Sequence, residues 1–159
     1  MTPNAKVWIY ASNRKLNKAE QDSINEKTLN FISTWTSHDE PVKAEFSLLH
    51  DVFLIIHAET DDSEIGGCGI DKSVAFMKEL AREHGLQLFD RMQIELLIHG
   101  QLFITDKKGA KLLFEEGKID HRTTTFNKTI TTQKQFMESF ETPVSKAWFY
   151  SGIKPEAFA

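Results

Sequence analysis

Residues 52–58 read Val-Phe-Leu-Ile-Ile-His-Ala, and this stretch decides the fold. Apolar side chains occupy both alternating sets of positions, whereas a strand with one solvent-facing side alternates apolar with polar residues. The pattern therefore predicts a central strand that is covered on both faces. We call it predicted strand 3, because two strand patterns precede it in the chain.

A strand, a helix and a second strand are predicted ahead of it. Lys6 to Ala11 is dominated by β-branched and aromatic residues, which indicates predicted strand 1. Asn17 to Glu20 has the form of a capping box, and apolar residues follow at helical spacing, which predicts a helix ending near Ser37. Val42 to Leu48 alternates apolar and polar side chains, and His50-Asp51 is the predicted turn into strand 3.

A second helix and a fourth strand follow the central strand. The helix carries Val74, Met77 and Ala81 on one stripe and ends at Gly85, and Met92 to Ile98 forms predicted strand 4. The order β-α-β-β-α-β predicts an α+β protein with a ferredoxin-like split βαβ core. In this arrangement we expect strands 1 and 3 to lie side by side and parallel in the middle of the sheet.

The last third of the chain continues with short elements. Gln101 to Thr105 is a predicted strand that follows a tight turn at His99-Gly100. Asp106 is placed to cap a short helix, and a final helix spans roughly Thr132 to Phe140. We expect this third to cover the open face of the sheet or its edge, which would otherwise expose apolar side chains.

Length and composition bound the class of protein. The chain has 159 residues, 40% hydrophobic and 26% charged, which predicts a single domain 1–159 with a core over 6–98 and an extension over 99–159. The longest uninterrupted apolar run, Val52 to Ile56, is too short for a membrane helix, so no membrane association is expected. One cysteine and no apolar segment near residue 1 favour a reducing cytoplasm.

The charge balance and the histidine spacing exclude further classes. Acidic residues number 23 against 19 basic ones, and residues 51–100 alone hold 10 acidic and 4 basic groups. Without a basic stripe the chain lacks the electrostatic pattern of most nucleic-acid-binding proteins, so nucleic acid is not expected as a partner. Six histidines show no zinc-ligand spacing, and no metal or other cofactor is predicted.

The stretch most suggestive of chemistry is the glycine-rich segment Gly66-Gly67-Cys68-Gly69-Ile70-Asp71-Lys72-Ser73, predicted as a loop before the second helix. Glycines allow positive φ angles and leave amides uncovered, and a helix start adds partial positive charge, so such a loop can bind an anion. The segment approaches the phosphate-loop pattern G-x-x-x-x-G-K-[ST], but Asp71 replaces its last glycine. We therefore reject ATP hydrolysis. The structural alternative is that Asp71 caps the helix.

Gly67-Cys68 and Ile70-Asp71-Lys72-Ser73-Val74, with the strand Val7-Trp8-Ile9-Tyr10 and Leu88-Phe89-Asp90-Arg91, resemble a family of short bacterial proteins. Some members of that family carry the label "ABC transporter ATPase". The resemblance spans most of the chain. It implies relatives but no activity, because the family has no established one.

Cys68 allows a second interpretation. A thiol near a helix N-terminus and beside Lys72 is placed for activation, and His57 at the end of predicted strand 3 is the nearest base in topology. These two residues are the catalytic candidates for a thiol-dependent enzyme. The structural alternative is a small buried Cys68 and a core His57.

The predicted topology places two loops together. If strands 1 and 3 are parallel neighbours, the loop from Ser12 to Leu16 and the glycine-rich segment share one rim. Arg14 and Lys15 would then join Lys72 in a small anion-selective cleft. The candidate ligand-binding residues are Arg14, Lys15, Gly66, Gly67, Cys68, Gly69, Asp71, Lys72 and Ser73.

Three hypotheses for function remain open from the sequence. The leading one is a non-catalytic module that binds a small anionic ligand or acts in regulation. The alternatives are a thiol-dependent enzyme and a protein-interaction module without a small-molecule site. A homodimer formed through an edge strand or a sheet face is compatible with each of them.

Overall fold

The computed structural model describes residues 1–61 and 64–155. Asp62 and Ser63, which lie between the central strand and the glycine-rich segment, are outside the described residues. The strands are β1 Lys6–Ala11, β2 Thr36–Ser37, β3 Glu40–Pro41, β4 Lys43–Leu49, β5 Phe53–Glu59, β6 Ile94–Ile98, β7 Gln101–Thr105, β8 Thr124–Phe126 and β9 Glu141–Pro143. The helices are α1 Lys18–Thr34, α2 Gly67–His84, α3 Lys107–Glu115, α4 Gln133–Ser139 and α5 Tyr150–Ile153, and a 3-10 turn spans Val144–Lys146.

The described part of the chain has a mixed α and β architecture with three antiparallel sheets. It divides into two compact units. The first contains Met1–Phe89 and Thr129–Met137, and the second contains Asp90–Lys128 and the residues from Glu138 onward. Predicted strand 4 is β6, which lies in the second unit.

The main sheet of the first unit has the order β1-β5-β4. β5 is the predicted central strand, and all its residues from Phe53 to Ala58 are buried. It pairs antiparallel with β1, where Val7 lies opposite His57, and antiparallel with β4, where Phe46 lies opposite Ile56. The prediction of a central strand covered on both faces is confirmed.

The ferredoxin-like arrangement is not confirmed, and the parallel pairing of strands 1 and 3 is wrong. The α1 crossover makes β1 and β4 parallel, and β5 returns from β4 through the tight turn at His50 and Asp51, so it must run against both. The fourth strand does not join this sheet, because β6 pairs with β7 and β8 in the second unit. The first half of the chain keeps three strands of the split βαβ plan, but the fourth strand is not in this sheet.

The remaining edge of β1 is paired with residues from the C-terminal third. The amide of Val7 donates to the carbonyl of Thr131 at 3.0 Å, and the amide of Gln133 donates to the carbonyl of Ala5 at 2.9 Å. An antiparallel bridge between Lys6 and Thr132 lies between these two bonds. The expectation that this third covers a sheet edge is confirmed, and it satisfies backbone groups that would otherwise be unpaired.

Helices α1 and α2 pack on one face of the sheet of the first unit. Leu54 and Ile56 of β5 join Ile24 of α1 and Met77 and Leu80 of α2 in one apolar cluster. Because side chains alternate along a strand, the neighbouring β5 residues, His57 among them, point to the opposite face. This division of β5 decides which candidate residues can meet.

The second unit has a four-stranded sheet with the order β7-β6-β8-β9. Ile94 and Leu96 of β6 pack with Ala110 of α3, Val144 and Ile153 in its apolar core. The predicted cap of α3 is confirmed, since Asp106 Oδ1 accepts from the amide of Gly109 at 2.8 Å. Within the described residues of the chain, no helix is both long and apolar enough to cross a membrane.

Candidate functional site

The glycine-rich segment is the start of a helix rather than a loop. Gly66 is the N-cap of α2, with φ −75°, and the helix runs from Gly67. No positive φ occurs at Gly66, Gly67 or Gly69, so the predicted positive φ angles of these glycines are wrong. Asp71 lies in the second turn and is exposed, so its predicted role as the cap is wrong as well.

Close packing explains two of the glycines. A Cβ on Gly66 would lie 2.3 Å from Nε2 of His38, and a Cβ on Gly69 would lie 3.0 Å from the Cβ of Ser37. Both neighbours belong to the β2–β3 hairpin, whose two turn residues His38 and Asp39 have φ 53° and 61°. The hairpin approaches the helix start closely because the glycines leave space for it.

Two hydrogen bonds fix the hairpin to the start of α2. Ser37 Oγ accepts from the amide of Gly66 at 2.9 Å, and Trp35 Nε1 donates to the carbonyl of Gly69 at 2.9 Å. Trp35 and Ser37 are buried. The helix start therefore has a fixed position relative to the turn that carries His38.

The first turn of α2 keeps amides that have no acceptor inside the helix. The N-cap residue Gly66 has no side chain that could accept from these amides, and no acidic residue lies in the first turn. In contrast, Asn17 caps α1 and Asp106 caps α3. The amides of Gly67, Cys68 and Gly69 thus carry the partial positive charge of an uncapped helix start.

Two basic side chains border this helix start. The ring of His38 lies against Gly66, as the glycine geometry shows. Lys72 Nζ is 3.3 Å from Oγ1 of Thr36 on the hairpin and remains exposed. The exposed carboxylate of Asp71 is adjacent to Lys72 in sequence. The arrangement offers amide and cationic donors to an oxyanion, with one carboxylate nearby that opposes a highly charged ligand.

The other members of the segment divide into exposed and buried groups. Cys68 is an exposed free thiol, and no side chain on Gly67 would meet an atom within 4 Å. Ser73 is 1% exposed, and its hydroxyl donates to the carbonyl of Ile70 at 2.8 Å. Ser73 therefore belongs to the interior of the helix packing and not to the surface of the candidate site.

Arg14 and Lys15 lie at the opposite end of the sheet. Arg14 follows the C-terminal end of β1. Because β1 runs antiparallel to β5, this end of β1 lies beside the start of β5. The amide of Ser12 donates to the carbonyl of Val52 there, at 2.9 Å. The glycine-rich segment follows the other end of β5. The expected shared rim is wrong, since it required parallel strands.

Arg14 is also engaged in local contacts. Its guanidinium donates to both carboxylate oxygens of Glu20, at 2.9 and 2.6 Å, and to the carbonyl of His84 at 3.0 Å. The bonds from Arg14 and from the amide of Asn17 lower the pKa of Glu20 to about 2. Arg14 serves to fix the first turn of α1 and the last turn of α2, whose carbonyls carry partial negative charge.

His57 and Cys68 are not brought together. His57 is 4% exposed, its Nδ1 lies 2.6 Å from Oε1 of Gln133, and its Nε2 lies 3.3 Å from Oγ of Ser47. Its ring meets the ring of Phe136 edge to face, at 5.0 Å between centroids. Because α2 packs on the opposite face of the sheet, His57 is not placed to act as the base for Cys68.

His38 and Thr36 were missed by the sequence reasoning. The pair His38-Asp39 indicates a turn, because histidine and aspartate tolerate positive φ better than most residues. The same pair of residues at His50-Asp51 is predicted as a turn. A turn at 38–39 predicts a hairpin after the first helix. Its contact with the glycine-rich segment depends on packing over about 30 residues of chain.

The comparisons with known proteins identify no relatives. No family model matches the chain, no curated protein is similar to it, and no solved structure matches it. The class of protein and its function therefore have to be argued from the site alone.

Proposed function

We propose that this protein is a non-catalytic module that binds a small oxyanion at the start of α2. The observation that carries the proposal is the contrast among three helices of the chain. Polar side chains cap α1 and α3, whereas α2 begins with glycines and no side-chain cap among the described residues. A bound anion would supply the missing acceptor.

The surroundings of the helix start support a phosphate-like or carboxylate-like ligand. His38 and Lys72 provide donors from two different elements, and Gly67 leaves the approach to the amides open. The hairpin is held by buried Ser37 and Trp35, so little reorganisation accompanies binding. Arg14 and Lys15 are not part of the proposed site, because they lie at the other end of the sheet. The resemblance to a family of short bacterial proteins does not indicate which ligand binds, and it remains a prediction.

Titration of the ¹⁵N-labelled protein with inorganic phosphate tests the proposal. We expect saturable shifts of the amide resonances of Gly67, Cys68 and Gly69, because their N–H groups would donate to the ligand. Lys72→Ala and His38→Ala weaken binding several-fold, since each removes a donor. Lys15→Ala, at the opposite end of the sheet, is the matched control and leaves the affinity unchanged.

Substitution of Gly67 separates binding from folding. Gly67→Asp places a carboxylate at the first helical position, where no atom obstructs a Cβ, so it is expected to stabilise the helix and to weaken phosphate binding. Gly67→Ala keeps the site neutral and retains more of the affinity. Phosphate shifts that are absent, or that are the same in Gly67→Asp and in Gly67→Ala, contradict the proposal.

The thiol-dependent alternative receives no support from the geometry. Cys68 is exposed, and His57 is occupied by Gln133 and Ser47 on the far side of the sheet. A direct check is the rate at which Cys68 reacts with a thiol reagent at neutral pH. We expect the same rate in His57→Ala, because the ring of His57 lies on the far side of the sheet.

A further inference from the structure

We propose that two copies of this chain pair through the outer edge of β7, forming one continuous antiparallel sheet across a two-fold axis at Phe103. β7 is the outermost strand of the second sheet and is paired with β6 alone among the described strands. This inference is independent of the proposed anion site.

In the two larger sheets of the described residues, each edge strand other than β7 has a protecting feature. The free edge of β1 is covered by residues 131–133. The edge strand β4 carries Lys43 and Glu45, and β9 is only three residues long and contains Pro143. Charges, proline and short length are the features that keep sheet edges from pairing with other chains. β7 has five residues, Gln-Leu-Phe-Ile-Thr, with no charge and no proline.

The turn before β7 determines which of its backbone groups point outward. His99 and Gly100 both have positive φ, 50° and 74°, and they join the opposed pair Ile98 and Gln101. In such a two-residue turn the flanking pair exchanges backbone hydrogen bonds, and bonding alternates from there along the strand. Leu102 and Ile104 therefore direct their N–H and C=O groups away from β6, to the open edge.

This alternation makes the edge complementary to itself. When Phe103 lies on the two-fold axis, Leu102 of one copy faces Ile104 of the other, so the outward groups form four backbone hydrogen bonds. Gln101 faces Thr105 in the same register. No residue of the strand meets a like charge, because the strand has none.

The exposure of Phe103 favours a second copy of this chain as the partner of the β7 edge. Its side chain is 48% exposed although it lies on the face where Leu96, its cross-strand partner, is fully buried. On the axis the two Phe103 residues form a non-hydrogen-bonded pair, in which side chains approach most closely, and a facing aromatic pair is favourable there. The pairing covers an apolar side chain that the single chain leaves exposed.

The expected dimer is weak and depends on concentration. Two five-residue edges bury less than the ~1,200 Å² typical of stable complexes. Sedimentation of the full chain over a range of concentrations should show a monomer–dimer equilibrium. Phe103→Lys places two ammonium groups together at the axis and is expected to abolish the dimer. Glu45→Lys on β4 is the matched control and leaves it unchanged.

Disulfide crosslinking tests the register itself. In a Cys68→Ser background, Phe103→Cys places two thiols opposite each other, so mild oxidation should give a covalent dimer in high yield. Gln101→Cys puts its two thiols about 13 Å apart, four residues of strand, and should give little. A chain that stays monomeric at high concentration, a dimer that persists in Phe103→Lys, or equal crosslinking of the two cysteine variants overturns the proposal.

Discussion

Glu20 and Glu95 each form an ion pair with a basic side chain, but the two carboxylates differ in burial. Glu20, in the first unit, pairs with Arg14 at 2.6 Å, and the side chains of Glu20 and Arg14 are 16% and 43% exposed. Glu95, in the second unit, pairs with Lys128 at 2.8 Å and is 1% exposed. The nitrogen–oxygen distances of the two ion pairs are similar, so the pairs differ mainly in their burial.

The pKa values of the two carboxyl groups shift in opposite directions. The Arg14 hydrogen bonds hold the pKa of Glu20 at about 2. Burial raises the pKa of Glu95 above its ordinary value, even though Lys128 and Gln93 both donate to its Oε2 at 2.8 Å and pull the pKa down. Oε1 of Glu95 has no hydrogen-bond partner among the described residues. The comparison teaches that an ion pair does not by itself identify a stabilising carboxylate.

The largest expected effect comes from breaking the buried pair. Lys128→Met leaves the carboxylate of Glu95 buried without its cation, which is expected to lower the free energy of unfolding by about 3 kcal/mol at neutral pH. Urea denaturation measures the loss. Burial raises the folded-state pKa of Glu95, so this group contributes stability below its unfolded-state pKa and contributes less as the pH rises. The decrease in stability caused by Lys128→Met should therefore become smaller as the pH falls toward 4.

The double variant Glu95→Leu/Lys128→Met is the control for that experiment. It removes both charges and the unpartnered oxygen, so it should recover most of the stability that Lys128→Met loses. If the double variant is as unstable as the single one, the cost comes from lost packing around Lys128 and the electrostatic account of Glu95 is wrong.

A smaller effect is expected at the capping box that holds Glu20. Asn17 Oδ1 accepts from the amide of Glu20 at 2.8 Å, and Glu20 Oε1 accepts from the amide of Asn17 at 3.0 Å. Asn17→Ala should lower the free energy of unfolding by about 1 kcal/mol. Asn30→Ala, at an exposed position in the same helix, should change it by no more than a few tenths of that. Equal effects of the two substitutions would show that the capping box is not stabilising.

The smallest effect concerns the pH dependence of the exposed pair. A depressed pKa gives stability that is present above the unfolded value near 4.3 and lost as the pH falls toward about 2. NMR titration of the Glu20 carboxyl should show the low pKa, and Arg14→Ala should raise it part of the way, since the Asn17 amide still donates. A pKa that does not move in Arg14→Ala would assign the shift to the capping box alone.

The sequence predicted the local elements well where the signal is local. The capping box at Asn17, the left-handed terminator Gly85 with φ 62° and the cap Asp106 are all found in the structure. These features depend on hydrogen bonds within a few residues of chain, so residue type and spacing contain most of the information.

The candidate site was predicted only in part. The segment 66–73 is at a helix start near Lys72, as expected, but His38 replaces Arg14 and Lys15 as the neighbouring basic group. The error came from strand direction. Periodicity shows that a strand is buried, but a parallel and an antiparallel neighbour bury the same apolar side chains.

Local hydrogen bonding and the pattern of apolar residues were therefore enough to predict the helix caps at Asn17 and Asp106, the terminator Gly85 and the buried central strand β5. Only the tertiary structure decided that β1 runs against β5, that β6 leaves the first sheet, and that the hairpin at His38 meets Gly66. These outcomes depend on contacts between residues distant in the chain, whose free energies are set by the packing of whole elements rather than by any short stretch of sequence.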